Sequence, residues 1–211
     1  VDENLVAVAE IAKVAERERI PLVVAIAMAM FCPDEGEISE QHVLRLIERM
    51  LEDGVEAFYV ATSAGLDAPR KVYKLCTQIL DRWPEIPLGI HLHNTNGMAL
   101  ANALAAMDAG VGVFEGSICG IGGGIRLPRG MPPHGNVATE DLAQMFFEMG
   151  VETGIDFPAL LTAAHKIKNL LGLEATFSHA LQGGTKEDVL KRDGMTDPPG
   201  GGEGEADRRR E

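Results

Sequence analysis

The sequence predicts an α/β fold in which parallel strands alternate with helices. Four short apolar segments of strand length are separated by segments whose apolar residues recur at helical spacing. The composition agrees, because 45% of the residues are hydrophobic but only 5% are aromatic, a mixture typical of helices packed on buried parallel strands. Two architectures fit the alternation: an open doubly wound sheet, or part of a (β/α)8 barrel.

The predicted elements follow one another in a regular order. The four strands are predicted at residues 21–30, 57–64, 87–94 and 111–119. The helices are predicted at residues 3–18, 40–53, 68–82, 98–110, 139–149 and 157–171. Ser39 and Thr139 are suitable N-cap residues, Pro69 is suited to a first helical turn, and Gly54 is suited to a helix end. The strands and helices therefore alternate four times, which is half the number that a complete barrel requires.

Charge and cysteine content exclude several classes of function. The net charge of −13 makes nucleic acid and anionic membranes poor partners, because both are negatively charged. An anionic substrate would need a local positive element, such as a metal ion. The three cysteines are an odd number without regular spacing, which argues against a disulfide framework. The N-terminal residues do not have the pattern of a signal peptide, and there is no run of 18 apolar residues, so we expect a cytoplasmic protein.

His91 and His93 are the clearest candidate functional residues. Side chains two positions apart on a strand point the same way, so both imidazoles would project together at the carboxyl end of the third predicted strand. Active sites of parallel α/β proteins gather at that end. The pair is either half of a metal site or two structural histidines, and the polar run that begins at Asn94 favours the metal site.

Two loops carry weaker signals. The glycines at 120 and 122–124 could cradle a phosphate or carboxylate through their N–H groups, or could form a flexible connection. Asn136, just before a helix, is either an oxygen ligand or a turn residue. Cys119 ends the fourth strand beside the glycines, and Cys32 follows the first strand, but a free cysteine is usually a small buried apolar residue.

Taken together, these segments resemble the hydroxymethylglutaryl-CoA lyase-like family of metal-dependent barrel lyases and aldolases. The resemblance depends on four strings, in order and with similar spacing: Cys32-Pro-Asp-Glu-Gly36, His91-Leu-His-Asn-Thr-Asn-Gly97 with Ala101-Asn102, Gly120-Ile-Gly-Gly123, and Gly135-Asn-Val-Ala-Thr-Glu-Asp-Leu142. It covers about residues 1–175 and corresponds to the C-terminal half of the family's barrel. The last string is closest to the lyase branch.

The resemblance implies a fold, a cofactor and an activity. The fold would be a partial (β/α)8 TIM barrel with about four C-terminal βα units followed by C-terminal helices. The cofactor would be Mg²⁺ or Mn²⁺, bound by His91, His93 and Asn136, and the activity would be retro-aldol cleavage of a carbon–carbon bond in an acyl-CoA or 2-oxo acid. A complete barrel of the family also has a first strand with a further metal ligand and an arginine, and the resemblance places this strand outside the present chain.

The resemblance also suggests roles for other residues, and the chain departs from the family pattern at two positions. We predict His91, Ser63 and Cys119 as catalytic residues. Asn94 and the glycines 122–124 are predicted to bind substrate. Thr62 stands where the family has an acid, and Gly124 stands where it has its catalytic cysteine, so the substrate is expected to differ from hydroxymethylglutaryl-CoA.

The chain is expected to have three regions. Residues 1–175 would form the partial barrel, residues 176–192 a C-terminal extension, and residues 193–211 a disordered tail rich in glycine, proline and charge. Because four parallel strands leave open edges, we expect a homo-oligomer or a partner that supplies the missing half. Three functions stay open: a metal-dependent carbon–carbon lyase, a non-catalytic half-barrel that acts by association, and a 2-oxo acid aldolase or Claisen-type synthase.

Overall fold

The computed structural model describes residues 1–123, 135–174, 176–186 and 190. Its strands are β1 (Val23–Ile26), β2 (Phe31–Cys32), β3 (Gly36–Glu37), β4 (Ala57–Thr62), β5 (Leu88–Leu92) and β6 (Val113–Glu115). Its α-helices are α1 (Asp2–Glu18), α2 (Glu40–Glu52), α3 (Pro69–Arg82), α4 (Ala99–Asp108), α5 (Thr139–Glu148), α6 (Phe157–Leu170) and α7 (His179–Gly183). A 3₁₀ turn covers Ile118–Gly120. The tail predicted at 193–211 lies outside the described residues.

The main sheet has four parallel strands in the order β1-β4-β5-β6. Each strand pairs with the next one along the chain, apart from the short β2–β3 hairpin. Right-handed crossovers between sequential neighbours place all their helices on one face, whereas a doubly wound sheet reverses its strand order at a switch point. The order therefore fits a segment of a barrel. Within the described part of the chain, β1 and β6 each have a strand on one side only.

The hydrophobic core lies between the sheet and the helices. Alternate residues of the two central strands, including Phe58, Val60, Ile90 and Leu92, are completely buried there. The intervening residues face the opposite, concave side, which would be the interior of a closed barrel. On that side the ring of Tyr59 lies over Gly89, where a Cβ would meet the ring at 2.4 Å. His91 is two residues after Gly89 on β5 and therefore lies on the same concave face.

The structure differs from the local predictions in several places. The strand predicted at 111–119 is shorter, Val113–Glu115, and Cys119 lies in the 3₁₀ turn and not at a strand end. The strand predicted at 21–30 ends at Ile26, because the chain turns through Met28, whose φ is 51°, and then forms the β2–β3 hairpin. Helix α5 begins at Thr139, so its N-cap residue is Ala138 and not Thr139. Helix α7 was not predicted, because its five residues show no helical periodicity. Among the described helices, none is both long enough and apolar enough to cross a membrane.

Candidate metal and substrate site

His91 and His93 converge as the spacing predicts. Both lie at the carboxyl end of β5 and face the concave side of the sheet. Their Nε2 atoms are 3.2 Å apart, and the rings meet edge to face. An octahedral ion with bonds of about 2.1 Å places neighbouring ligands about 3.0 Å apart, so the observed separation suits two adjacent ligands of one ion.

Neighbouring strands hold both histidines in place. Glu115 on β6 is the register partner of His91, and its Oε2 lies 3.0 Å from His91 Nδ1. Thr62 on β4 is completely buried, and its hydroxyl accepts a hydrogen bond of 3.1 Å from the backbone N–H of His93. Thr62 therefore supports the strand end that carries the candidate metal ligands. Neither contact was predicted from the sequence.

Residues 135–138 bring Asn136 beside His93. The backbone N–H of Asn94 donates to the carbonyl of Gly135 at 3.2 Å, and that of Val137 donates to the carbonyl of Leu92 at 2.8 Å. These bonds make His93 and Asn136 directly opposed residues of an antiparallel bridge. Directly opposed side chains point the same way, with Cβ atoms about 5 Å apart. Asn136 is thus on the same side of the backbone as the imidazole of His93.

The side-chain amide of Asn136 is oriented so that its oxygen is available to bind a metal ion. Its Nδ2 donates to the carbonyl of Ile121 at 3.1 Å, which fixes the orientation of the side chain. Its Oδ1 is buried and has no hydrogen-bond partner among the described residues, although a buried acceptor is normally satisfied. No group of three His, Cys, Asp or Glu side chains in the described ranges could hold a metal ion. The candidate set is therefore two imidazoles and one amide oxygen.

The glycine loop fits tightly against this segment. A Cβ on Gly135 would lie 2.0 Å from the carbonyl oxygen of Gly120, and a Cβ on Gly122 would lie 2.7 Å from Asn136 Nδ2. Gly123, in contrast, has open space around it. The absence of side chains at Gly122 and Gly135 therefore lets the two segments pack closely, and this packing holds Asn136 in place. The predicted substrate-binding position Gly124 lies outside the described residues.

Two other predicted residues have structural contacts at the same rim. The hydroxyl of Ser63 accepts from the N–H of Met28 at 2.9 Å, which holds the turn after β1. The side-chain oxygen of Asn94 accepts from the N–H of Ala99 at 3.1 Å, which holds the start of α4. Asn94 also lines a cavity of about 280 Å³ beside the site, together with residues of the segment 176–182. The predicted substrate-binding residue Asn94 therefore lies in the wall of this cavity.

Cys119 is close in sequence to the site but its thiol points away from it. The residue is completely buried, and its Sγ lies 3.4 Å from the carbonyl oxygen of Ala164 in α6. Its N–H donates to the carboxylate of Glu140, which is also completely buried. Burial raises the pKa of the Cys119 thiol, and the neighbouring Glu140 raises it further, so the reactive thiolate is disfavoured. These contacts favour a structural role for Cys119.

Asp141 fastens the C-terminal segment to the site. Its buried carboxylate accepts hydrogen bonds from Ser178 Oγ and from the backbone N–H groups of His179 and Ala180, at 3.0, 3.0 and 2.9 Å. These donors are the side chain and first amides at the start of α7, so Asp141 caps a helix far away in sequence. Sequence reasoning missed this role, since Asp141 was assigned only to the start of its own helix.

Asp67 is a second buried carboxyl at this rim. It is 5% exposed, and burial raises its pKa to about 6. Its backbone carbonyl accepts from the side-chain amide of Asn102 on α4 at 2.9 Å. Asn102 belongs to the motif that follows the histidines, and its role here is to fasten the loop after β4.

With this geometry established, comparison with known proteins gives the family. Residues 1–167 match the HMGL-like family model. The chain belongs to the HMGL-like family. Among its relatives, the (R)-citramalyl-CoA lyase of Chloroflexus aurantiacus is 36% identical over 170 residues, which are 81% of this chain and 53% of that enzyme. The cytoplasmic 3-hydroxy-3-methylglutaryl-CoA lyase of Danio rerio is 31% identical over 163 residues, 77% of this chain and 48% of that enzyme.

Solved structures agree with the family assignment. The HMG-CoA lyase of Bacillus subtilis superposes with a TM-score of 0.80 at 30% identity, over 86% of this chain and 60% of the other. The HMG-CoA lyase of Acinetobacter baumannii, solved with coenzyme A and 3-methylmalate, gives 0.77 at 33% identity, over 85% and 57% of the two chains. The chain thus spans about half the length of the relatives it matches. The predicted family and the partial-barrel fold are confirmed.

Proposed function

We propose that this chain is part of a metal-dependent carbon–carbon lyase that cleaves a 3-hydroxyacyl-CoA. The observation that carries the proposal is the convergence, at the carboxyl end of the sheet, of two imidazoles and a buried amide oxygen that has no hydrogen-bond partner in the described part of the chain. The related enzymes named above are lyases of CoA esters, which supports this substrate class. The reaction breaks one carbon–carbon bond and gives an acyl-CoA and a second carbonyl compound.

The donor set suits Mg²⁺ or Mn²⁺. His91, His93 and Asn136 would hold the ion through two nitrogens and one oxygen, leaving positions for a further ligand and for substrate. A bound ion would act as a Lewis acid toward the oxygens of the substrate as negative charge develops on them. The chain's own residues orient these ligands: Thr62 and Glu115 hold the two histidine residues, and Ile121 holds the amide of Asn136.

Substrate would reach the ion from the concave face and the rim. The cavity lined by Asn94, Gly135 and Gln182 lies beside the metal ligands, and Asp141 fixes the helix that forms one of its walls. Hydroxyl deprotonation starts a retro-aldol cleavage, and the electrons of the broken bond pass to the carbon next to the thioester. The hydroxyl of Ser63 accepts from the N–H of Met28, and the thiol of Cys119 faces the carbonyl of Ala164, contacts that favour structural roles for both side chains.

Binding of Mn²⁺ tests the proposal directly. We expect the 211-residue chain to bind Mn²⁺ in titration calorimetry, and the double variant His91→Ala/His93→Ala to lose at least tenfold in affinity. The exposed His165 on α6 supplies a matched control, and His165→Ala should leave the affinity unchanged. Equal affinity of the double variant and the wild type would refute the metal assignment. Detection of an acyl-CoA product from 3-hydroxyacyl-CoA substrates, or of a smaller 2-oxo acid from hydroxylated 2-oxo acids, would then identify the substrate class.

We also propose that activity requires association. The edge strands β1 and β6 and the concave face carrying Tyr59 and His91 would be covered in a closed barrel, and an open edge is a template for pairing. A second copy or another half-barrel would supply the missing strands. The free cysteines favour the reducing environment of the cytoplasm for this protein. Sedimentation of the purified chain should show a dimer or larger species. A stable monomer with full lyase activity would refute this requirement.

A further inference from the structure

The environment of His91 differs on its two sides. In the register of the sheet, its partner on β4 is Ala61 and its partner on β6 is Glu115. The methyl group of Ala61 offers no hydrogen bond, whereas Glu115 Oε2 lies 3.0 Å from His91 Nδ1. The opposite nitrogen, Nε2, faces His93 at 3.2 Å. One ring nitrogen therefore meets a carboxylate, and the other points to the candidate metal position.

We propose that Glu115 is a positioning residue that keeps the proton of His91 on Nδ1, so that Nε2 presents its lone pair to the candidate metal position. A neutral imidazole has one N–H and one lone pair, and an ionised carboxylate can only accept a hydrogen bond. The N–H must therefore face Glu115. A carboxylate that receives the second N–H of a ligating histidine fixes the ring orientation and makes the ligand more basic. The inference rests on the proposed function in one respect, namely that a divalent cation is what Nε2 receives.

The position of Glu115 makes this role testable without disturbing the core. Its side chain is 54% exposed and that of His91 is 25% exposed, so truncation at 115 removes little buried surface. Glu85, an exposed residue in the loop before β5, offers a substitution with the same change of net charge. Glu115→Ala removes the acceptor, Glu115→Gln keeps a neutral acceptor, and Glu85→Gln is the control.

The first readout requires no metal. Nitrogen-15 shifts of the His91 ring, measured at about pH 8 where an ordinary imidazole is neutral, distinguish a protonated Nδ1 from a protonated Nε2. We expect a protonated Nδ1 in the wild type and in Glu85→Gln. We expect a shift toward a protonated Nε2 in Glu115→Ala, with Glu115→Gln between the two. An identical His91 pattern in the wild type and Glu115→Ala would overturn the proposal.

The second readout is the affinity for Mn²⁺, measured by calorimetry on the same four proteins. Loss of a carboxylate behind a ligating histidine typically lowers metal affinity about 10–100-fold, and we expect Glu115→Ala to fall in that range. Equal losses in Glu115→Ala and Glu115→Gln with an unchanged His91 pattern would instead make Glu115 a direct ligand, and would overturn the positioning role. If the wild type binds no Mn²⁺ but His91 still responds to Glu115→Ala, the metal proposal fails while the positioning of His91 stands.

Discussion

Replacement of Gly135 by alanine tests whether contact between two backbones keeps Asn136 at the site. A Cβ at this position would lie 2.0 Å from the carbonyl oxygen of Gly120 and 2.9 Å from that of Gly122. Both obstacles are backbone atoms, which cannot rotate away as a side chain can. The segment 135–138 must therefore move away from the glycine loop, and Asn136 must move with it.

The cost has two parts. Overpacking of a tight contact destabilises a protein by about 1–3 kcal/mol. Displacement of the segment also weakens its hydrogen bonds to Asn94 and Leu92, each worth about 1 kcal/mol. We therefore expect Gly135→Ala to lower the free energy of unfolding by about 2–4 kcal/mol, and the melting temperature by about 5–15 °C for a chain of this size. Affinity for Mn²⁺ should fall about tenfold or more, because an oxygen ligand is displaced.

Gly123→Ala is the matched control for this experiment. Gly123 belongs to the same loop, but a Cβ there meets no atom within 4 Å, and its φ lies outside the left-handed region. We expect both its melting temperature and its Mn²⁺ affinity to match the wild type. Urea or thermal denaturation and calorimetry on the three proteins provide the measurements. Equal stability of Gly135→Ala and Gly123→Ala, or unchanged Mn²⁺ binding in Gly135→Ala, would refute the account of Asn136.

Three further predictions concern buried polar groups near the site. Burial raises the pKa of Asp67 from 3.8 to about 6. The contribution of this carboxyl to stability is therefore present below about pH 4 and is lost as the pH rises through 6. A pKa difference of this size corresponds to at most about 3 kcal/mol. Denaturation of Asp67→Asn should therefore show a gain over the wild type at pH 7.5 that is absent at pH 4. Asp141→Ala should leave the first amides of α7 without acceptors, lower stability by about 2–4 kcal/mol, and speed hydrogen exchange at those amides while the sheet stays protected. Iodoacetamide should label the partly exposed Cys32 in the native protein but label the buried Cys119 only after unfolding; rapid native labelling at Cys119 would contradict its structural role.

The fold was accessible from the sequence because its information is local. Apolar runs of strand length, helical spacing between them, and caps such as Ser39 and Pro69 define the elements one at a time. The spacing of His91 and His93 on a strand then fixes their common direction. The sequence leaves two architectures open, because the order of strands in a sheet depends on which strands pair, and the sequence of a single strand does not reveal its partner. The sequential order of β1, β4, β5 and β6 decides it.

The supports of the site were not accessible in the same way. Glu115 contacts His91 through the register of two strands, and Thr62 reaches the backbone of His93 through the other neighbour. Register depends on packing across the whole sheet, which no local pattern reveals. The sequence does not decide whether Asn136 is a ligand or a turn residue for the same reason, because its orientation depends on its bond to Ile121 in the glycine loop. Tertiary contacts, not motif chemistry, orient these side chains.

Of the two positions that depart from the family pattern, Thr62 lies among the described residues and Gly124 does not. The groups that face the candidate metal position, His91, His93 and Asn136, match the pattern and are held by contacts across three strands and a loop. Thr62 stands where the pattern has an acid, yet its hydroxyl still accepts a hydrogen bond from the strand that carries the histidines. It thus keeps an acceptor while removing a negative charge. Under the proposed lyase function, this loss of charge predicts an acyl group different from that of hydroxymethylglutaryl-CoA, which the substrate panel tests.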